Sequence, residues 1–344
     1  MATLRPPLLL ALSLLGGCSF LSDFDRFHVA DDAGTDAGSS DGGSDGGGSD
    51  GGSSDGGSDG GADAAIDGGS DAGTGCAAAP SGIDTETTAA FTTLTNLRSA
   101  AGTTCATMVS ELNTAGSMHS VYYEANKSNA SCVPDPHTEV SGCALFYGAD
   151  VMARATAAGY VGTAVSQVMV FGFGSPANPA SAIPMALDSL GRRLPLLSPW
   201  IRDFGYGHGT ETGTLPFGVG ASAPATWTAT YPYANQTGVP RSYSGTGDAW
   251  VPAPSTGFPS GYPIMIFLQG TVTSHTLTVS GSGTSLAHQW LPSSGQAGGY
   301  VQLPNAYVLL PDAPLAATTT YRVQVEGTNA NGAVSFDFTF TTKN

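Results

Sequence analysis

The chain has 344 residues, 11 basic against 27 acidic, a formal net charge of −16 and a pI near 4.4. The acidity is concentrated: residues 31–75 hold eleven aspartates and no Lys or Arg, so −11 of the charge lies there. Residues 76–344 keep 14 acidic and 9 basic side chains with no Lys/Arg stripe, which argues against nucleic acid as a partner. Past the first 20 residues no apolar run approaches the ~20 residues of a membrane-spanning helix.

At the N-terminus, Arg5 precedes an apolar run from Leu8 to Leu15 that is too short to span a bilayer. Leu15-Gly16-Gly17-Cys18 resembles the lipobox of bacterial lipoproteins. That resemblance implies removal of residues 1–17 as a signal peptide and acylation of Cys18, with several acyl chains giving stable membrane attachment. Ser19 stands where an inner-membrane retention signal would be Asp, so the expected location is the outer membrane or cell surface. Residues 18–75 follow as a tether, almost wholly Asp, Gly, Ser and Ala beyond residue 30, with Ile66 the one large apolar side chain there. Such a segment buries too little apolar surface to offset its ordering entropy. As a Gly-rich coil, residues 31–75 span roughly 35–40 Å. Calcium-binding rolls need a nine-residue period with a regular apolar position. Here Asp recurs every four or five residues without one, which reads as a solvated stalk.

Four further cysteines, Cys76, Cys105, Cys132 and Cys143, read as two disulfides in an exported chain, with three possible pairings. Cys76–Cys105 and Cys132–Cys143 are favoured because each closes a modest loop, worth roughly 3 kcal/mol on a chain-entropy model. Close-spaced cysteine pairs of the kind that hold zinc are absent.

From residue 84 to 190 the pattern is helical. Asp84 predicts an N-cap, Phe91, Leu94 and Leu97 a buried stripe, and Gly102 the stop. Met108, Leu112, Ala115, His119 and Tyr122 predict a second helix. A third is expected from Asp150 to Ala158, and a fourth after Ser175-Pro176, through Ala182, Ile183, Ala186, Leu187 and Leu190. Strand-like runs occur at 165–171, 204–207 and 225–231, so the fold class expected for 76–230 is an α+β (α-β-α) sandwich. After residue 231 the period becomes two, clearest in 321–325 and 334–340 with Asn331-Gly332 to turn the chain, and further strands are expected at 264–268, 276–279 and 307–310. Residues 231–344 therefore read as an all-β, immunoglobulin-like sandwich.

An ordered series of motifs from 88 to about 210 resembles the CAP superfamily (cysteine-rich secretory, antigen-five and pathogenesis-related proteins) in its bacterial form. The series runs Leu94-Thr95-Asn96-Leu97-Arg98 to Gly102, His119-Ser120-Val121-Tyr122, His137-Thr138-Glu139, Arg154 to Ala158-Gly159-Tyr160, Ser189 to Leu197 and Phe204-Gly205-Tyr206-Gly207. A following β-sandwich opening like Tyr231-Pro232 to Thr237-Gly238-Val239-Pro240 also resembles the family's arrangement. The resemblance implies a cleft of two His and two Glu, able in some members to hold a divalent metal.

The departures from that pattern carry the functional expectation. One family Glu falls on Gln167 and one family His on Arg192, while the adjacent Arg is kept as Arg193. An amide is a poor ligand for a zinc-type ion, a guanidinium ligates none, and neither titrates near neutral pH. The cleft residues expected are His119, His137, Glu139, Gln167, Arg192 and Arg193, with no catalytic residue and no cofactor. A metal on His137 and Glu139, with His119 and His208 nearby, is the alternative. Competing readings make His119 a hydrogen-bonded helix residue and Arg193–Glu139 a buried ion pair. No nucleophile elbow, metalloprotease helix or phosphate loop occurs in 76–344, and Gly205-Tyr206-Gly207-His208-Gly209 is not followed by a helix start. Trp227, Trp250 and Trp290 suit either a sugar-stacking platform or a core. Together these features predict a lipid-anchored envelope protein whose degenerate CAP domain binds a wall component, lipid or protein without catalysis. The alternative is a hydrolase of wall or protein substrates.

Overall fold

The computed structural model describes residues 76–173, 178, 181–220, 227–246, 248, 251–293 and 305–344. The expected signal peptide (1–17), Cys18, the expected tether to residue 75, Ser175-Pro176 and Trp250 lie outside these residues. Among the described residues no helix is long and apolar enough to cross a membrane.

The first half is mixed α and β. Helix α1 (Thr85–Ala101) starts on Asp84, whose carboxylate accepts from the Thr87 N–H, and stops at Gly102 in the left-handed region at φ 80°. Strand β1 (Thr107–Met108) precedes α2 (Ser110–Asn126), so Met108 belongs to the sheet rather than to the helical stripe predicted for it. Helix α3 (Val151–Ala157) is capped by Asp150. After β2 (Val165–Phe171) the single helix expected near 182–190 is two, α4 (Ala182–Leu187) and α5 (Leu190–Leu197). Ser189 breaks the run because its backbone is extended and its side chain caps the Arg192 N–H. Strands β3 (Ile201–Phe204), β4 (Gly207–His208) and β5 (Thr212–Val219) complete a sheet ordered β1-β3-β5-β2, with β4 paired to β5.

The second half stacks two four-stranded sheets. The inner sheet comprises β6 (Thr228–Tyr231), β10 (Ile264–Leu268), β12 (His288–Leu291) and β13 (Ala306–Pro311), in the order β12-β13-β10-β6. The outer sheet comprises β7 (Gln236–Val239), β11 (Gly270–Val279), β14 (Thr320–Asn329) and β15 (Gly332–Thr342), in the order β11-β14-β15-β7. A short ribbon, β8 (Ser242–Tyr243) with β9 (Ser260–Gly261), lies beside them. The β14–β15 hairpin turns on Ala330 and Asn331, since Asn329 pairs with Gly332.

Burial separates the two sheets. Strand β14 alternates, which is the signature of a sheet with one wet face. Every residue of β10 and β13 is buried, so the two central strands of the inner sheet are covered on both faces, while the edge strands β6 and β12 are partly exposed. One continuous apolar core runs from α1 and α5 through the inner sheet to Val323 and Phe340. Trp227 stands in it, edge-on to Trp200 and against Phe267, a core position rather than a platform.

Two buried charged side chains tie the halves together. Arg193 donates to Leu187 O and, at 2.8 Å, to Pro263 O. Its guanidinium lies 4.8 Å from the ring centres of both Tyr231 and Tyr262, a desolvated cation–π arrangement worth about 2 kcal/mol. Asp248 accepts from the Leu190 and Gly191 N–H groups and from the Ser189 and Tyr243 hydroxyls, so it caps α5 from 57–59 residues away. The disulfides are Cys76–Cys105 and Cys132–Cys143.

Candidate functional site

Helix α2 places the first site residue. Its buried face carries Leu112, Ala115, His119 and Tyr122, and it packs against β4 and β5 closely enough to need glycine on both sides. His119 is wholly buried, with Nδ1 2.9 Å from Glu139 Oε1 and Nε2 3.0 Å from the Pro136 carbonyl. Both partners are acceptors, so both contacts are hydrogen bonds only when the ring carries two protons. Burial opposes that state and lowers the His119 pKa, while Glu139 supports it.

The segment after α2 folds back over it. The Cys132–Cys143 bridge closes a short loop. The buried Tyr122 hydroxyl donates to Cys132 O at 2.6 Å and accepts from the Val140 N–H at 2.9 Å. Glu139 is thereby held against His119, and its Oε2 accepts from the Tyr147 and Gly148 N–H groups. Against the cost of burial, these hydrogen bonds hold the Glu139 carboxyl below the usual carboxylate range.

Arg154 of α3 occupies the centre, fully buried. It donates to Gly148 O at 3.1 Å, to His137 O at 3.1 Å and to Gln167 Oε1 at 2.8 Å, and lies 3.7 Å from Glu139 Oε1. Gln167 of β2 uses both ends of its amide. Its oxygen accepts from Arg154, and its Nε2 donates to His137 O and to His137 Nδ1, each at 3.1 Å. A carboxylate at 167 lacks the donor for these last two contacts.

His119, His137, Glu139 and Gln167 thus converge, but Glu139 and Gln167 meet through Arg154 rather than each other. Arg192 is half-buried at the start of α5, close enough to His137 for its charge to depress the imidazole. Among the described residues its guanidinium makes no hydrogen bond, and Asp248 is the charge that acts on it. Arg193 points away, into the junction between the halves, so the ion pair with Glu139 does not form and Arg154 takes that place. His208 is also elsewhere, stacked on Tyr206 and 3.6 Å from Asp84. Two residues of this architecture carry no role in the motif reading. Arg154 stands inside its Arg-x-x-x-Ala-Gly-Tyr run. Asp248 has no signal for its capping of α5, because Ser189, Leu190 and Gly191 are nearly sixty residues distant.

The set does not fit a divalent metal. Both nitrogens of His119 and both oxygens of Glu139 are engaged, position 167 is an amide, and a guanidinium lies against the carboxylate. Burial is the main reason that the His137 pKa is pushed down to about 4; Asp135 opposes it, and the charges of His119, Arg192 and Arg154 reinforce it.

A stability dependence on pH follows. A histidine whose folded pKa is depressed costs nothing above the unfolded value near 6.5, and its stability is lost as pH falls towards the folded value. Unfolding temperature is therefore expected to hold above pH 7 and to fall between about 6.5 and 4, with His137 alone worth on the order of 3 kcal/mol. His119 acts in the same sense, Glu139 does so at lower pH, and Asp188, raised by burial, opposes them in the carboxylate range. Thermal unfolding of wild type and His137→Gln across this range checks the assignment. Equal slopes for the two proteins would remove it.

No protein-family model matches the chain, and no curated protein matches it. Among solved structures, an extracellular protein containing a SCP domain from Bacillus anthracis str. Ames is similar over 39% of this chain and 40% of that chain, at 13% identity and a TM-score of 0.32. So loose a likeness defines neither fold nor activity for this chain, and less than half of that structure's length is matched.

Proposed function

We propose that the protein is a lipid-anchored envelope protein that binds an anionic group of a wall component, lipid or protein at Arg192, without catalysis. The observation that carries this reading is the contrast between Arg192 and the residues behind it. His119, Glu139, Arg154 and Gln167 are tied to one another and to backbone, which makes them a scaffold. Arg192 beside His137 presents a half-buried guanidinium with no hydrogen bond among the described residues. A guanidinium accepts no proton at neutral pH but binds carboxylate and phosphate bidentately. The lipobox and the acidic stalk supply the location from which such a group would be met.

Full-length protein with Cys18→Ser, which removes the anchor, is to be sedimented with purified peptidoglycan sacculi and, separately, with phosphatidylglycerol vesicles. Retention on one of them is expected to fall at least tenfold in Arg192→Ala, with unfolding temperature unchanged. Equal retention of the variant would remove the Arg192 site. Release of soluble wall fragments that His137→Ala abolishes would instead establish a hydrolase.

A further inference from the structure

The sandwich carries a pair of imidazoles far from the site described above. Strand β11 is an edge of the outer sheet and β12 an edge of the inner one. His275 of β11 and His288 of β12 meet across that open side, with His275 Nδ1 2.9 Å from His288 Nε2. The two edges are also held by the Leu286 N–H donating to Leu277 O at 2.9 Å.

Both rings have fixed orientations. His288 Nδ1 is 2.9 Å from the Leu286 carbonyl, which only accepts, so the ring proton sits there and the Nε2 lone pair faces His275. His275 stacks on the indole of Trp290, with centroids 4.1 Å apart and planes 8° from parallel. Trp290 in turn stacks on Tyr307 at 5.5 Å. The Tyr307 hydroxyl donates to Gly270 O. A carbonyl on the distal nitrogen that fixes the tautomer is the usual support of a metal-binding histidine.

We propose that His275 Nδ1 and His288 Nε2 form a binding site for a divalent transition-metal ion of imidazole preference, such as copper(II) or zinc. Bonds of ~2.0–2.1 Å at a tetrahedral centre set neighbouring nitrogens roughly 3.3 Å apart, so the pair opens by about 0.4 Å. The His275 proton moves to its own Nε2, and water fills the remaining positions. Imidazole donors favour copper most strongly in the divalent series. A second grouping, Asp84, Glu86 and His208 within 4.8 Å, is a weaker candidate. Asp84 is committed to capping Thr87, and the positive end of α1 repels a cation there.

The test is a copper(II) titration of the full-length chain in chelator-stripped buffer, carried in a His208→Ala background to silence the second grouping. One equivalent is expected to quench tryptophan fluorescence and to give a paramagnetic resonance spectrum split by two imidazole nitrogens. Trp290→Phe should lose most of the quench while keeping the one-to-one stoichiometry. His275→Ala and His288→Ala should each weaken binding at least tenfold. Unchanged affinity in both alanine variants, or a spectrum without imidazole nitrogens, would overturn the proposal. Should either variant fail to fold, zinc-induced shifts of the His275 and His288 ring nitrogens in the unsubstituted chain decide the matter, and their absence would overturn it too.

Discussion

Replacing Arg154 with leucine is expected to destabilise the folded chain by about 3–5 kcal/mol, the usual cost of removing one partner from a buried ion pair. Leucine fills part of the volume but leaves Gly148 O, His137 O and Gln167 Oε1 without their donor. It also removes the cation 3.7 Å from Glu139, whose carboxylate stays buried. For a folded region of this size the fall in unfolding temperature is on the order of 10 °C. Arg154→Lys separates charge from shape: one ammonium cannot reach three acceptors arranged for a planar fork, so most of the loss should remain. Chemical unfolding of the three proteins measures this. A penalty below about 1 kcal/mol for leucine would mean that the network is incidental to the fold.

Gly207→Ala is the second large effect expected. A Cβ at this position would lie 1.8 Å from Ser117 N and 2.3 Å from Gly116 C, both backbone atoms of α2. Gly205 is similarly confined, 2.2 Å from Leu112 C, and across the contact a Cβ on Gly116 would meet Gly207 N at 2.9 Å. No rotamer change relieves a clash with helix backbone, so α2 must move away from β4 and β5. Overpacking of this kind costs about 3 kcal/mol or more. The movement would also carry His119 away from Glu139, so the signature is lost stability together with a changed His119 environment. Gly209→Ala should cost less, because its Cβ would meet the carboxylate of Glu124, the far end of a flexible side chain. A stability ranking with Gly209→Ala worse than Gly207→Ala would contradict this packing.

How far the site was legible in the sequence depends on whether each partner is near in the chain. Leu112, Ala115, His119 and Tyr122 share a face because a helix repeats every 3.6 residues, and the structure buries all four. The stop at Gly102, the cap at Asp84 and the alternation of β14 are of the same local kind. The Gly205-Tyr206-Gly207 run was visible as unusual, but its reason, close approach of α2, involves residues about ninety positions earlier. Continuous apolar runs such as Ile264–Leu268 signal burial on both faces without saying what covers the second.

The order of polar and apolar residues by itself indicated most of the helices, the longer strands and the change from mixed α and β to all β, because these follow from backbone periodicity; which cysteines pair was only favoured by loop length. Only the tertiary structure decided where each buried charge ends. Arg154 and Arg193 are both basic residues on short helices, yet one joins Glu139 and Gln167 while the other lies between Tyr231 and Tyr262. A buried cation is held by whichever carbonyls, carboxylates and rings the fold brings within reach, and those partners come from elements far apart in the chain.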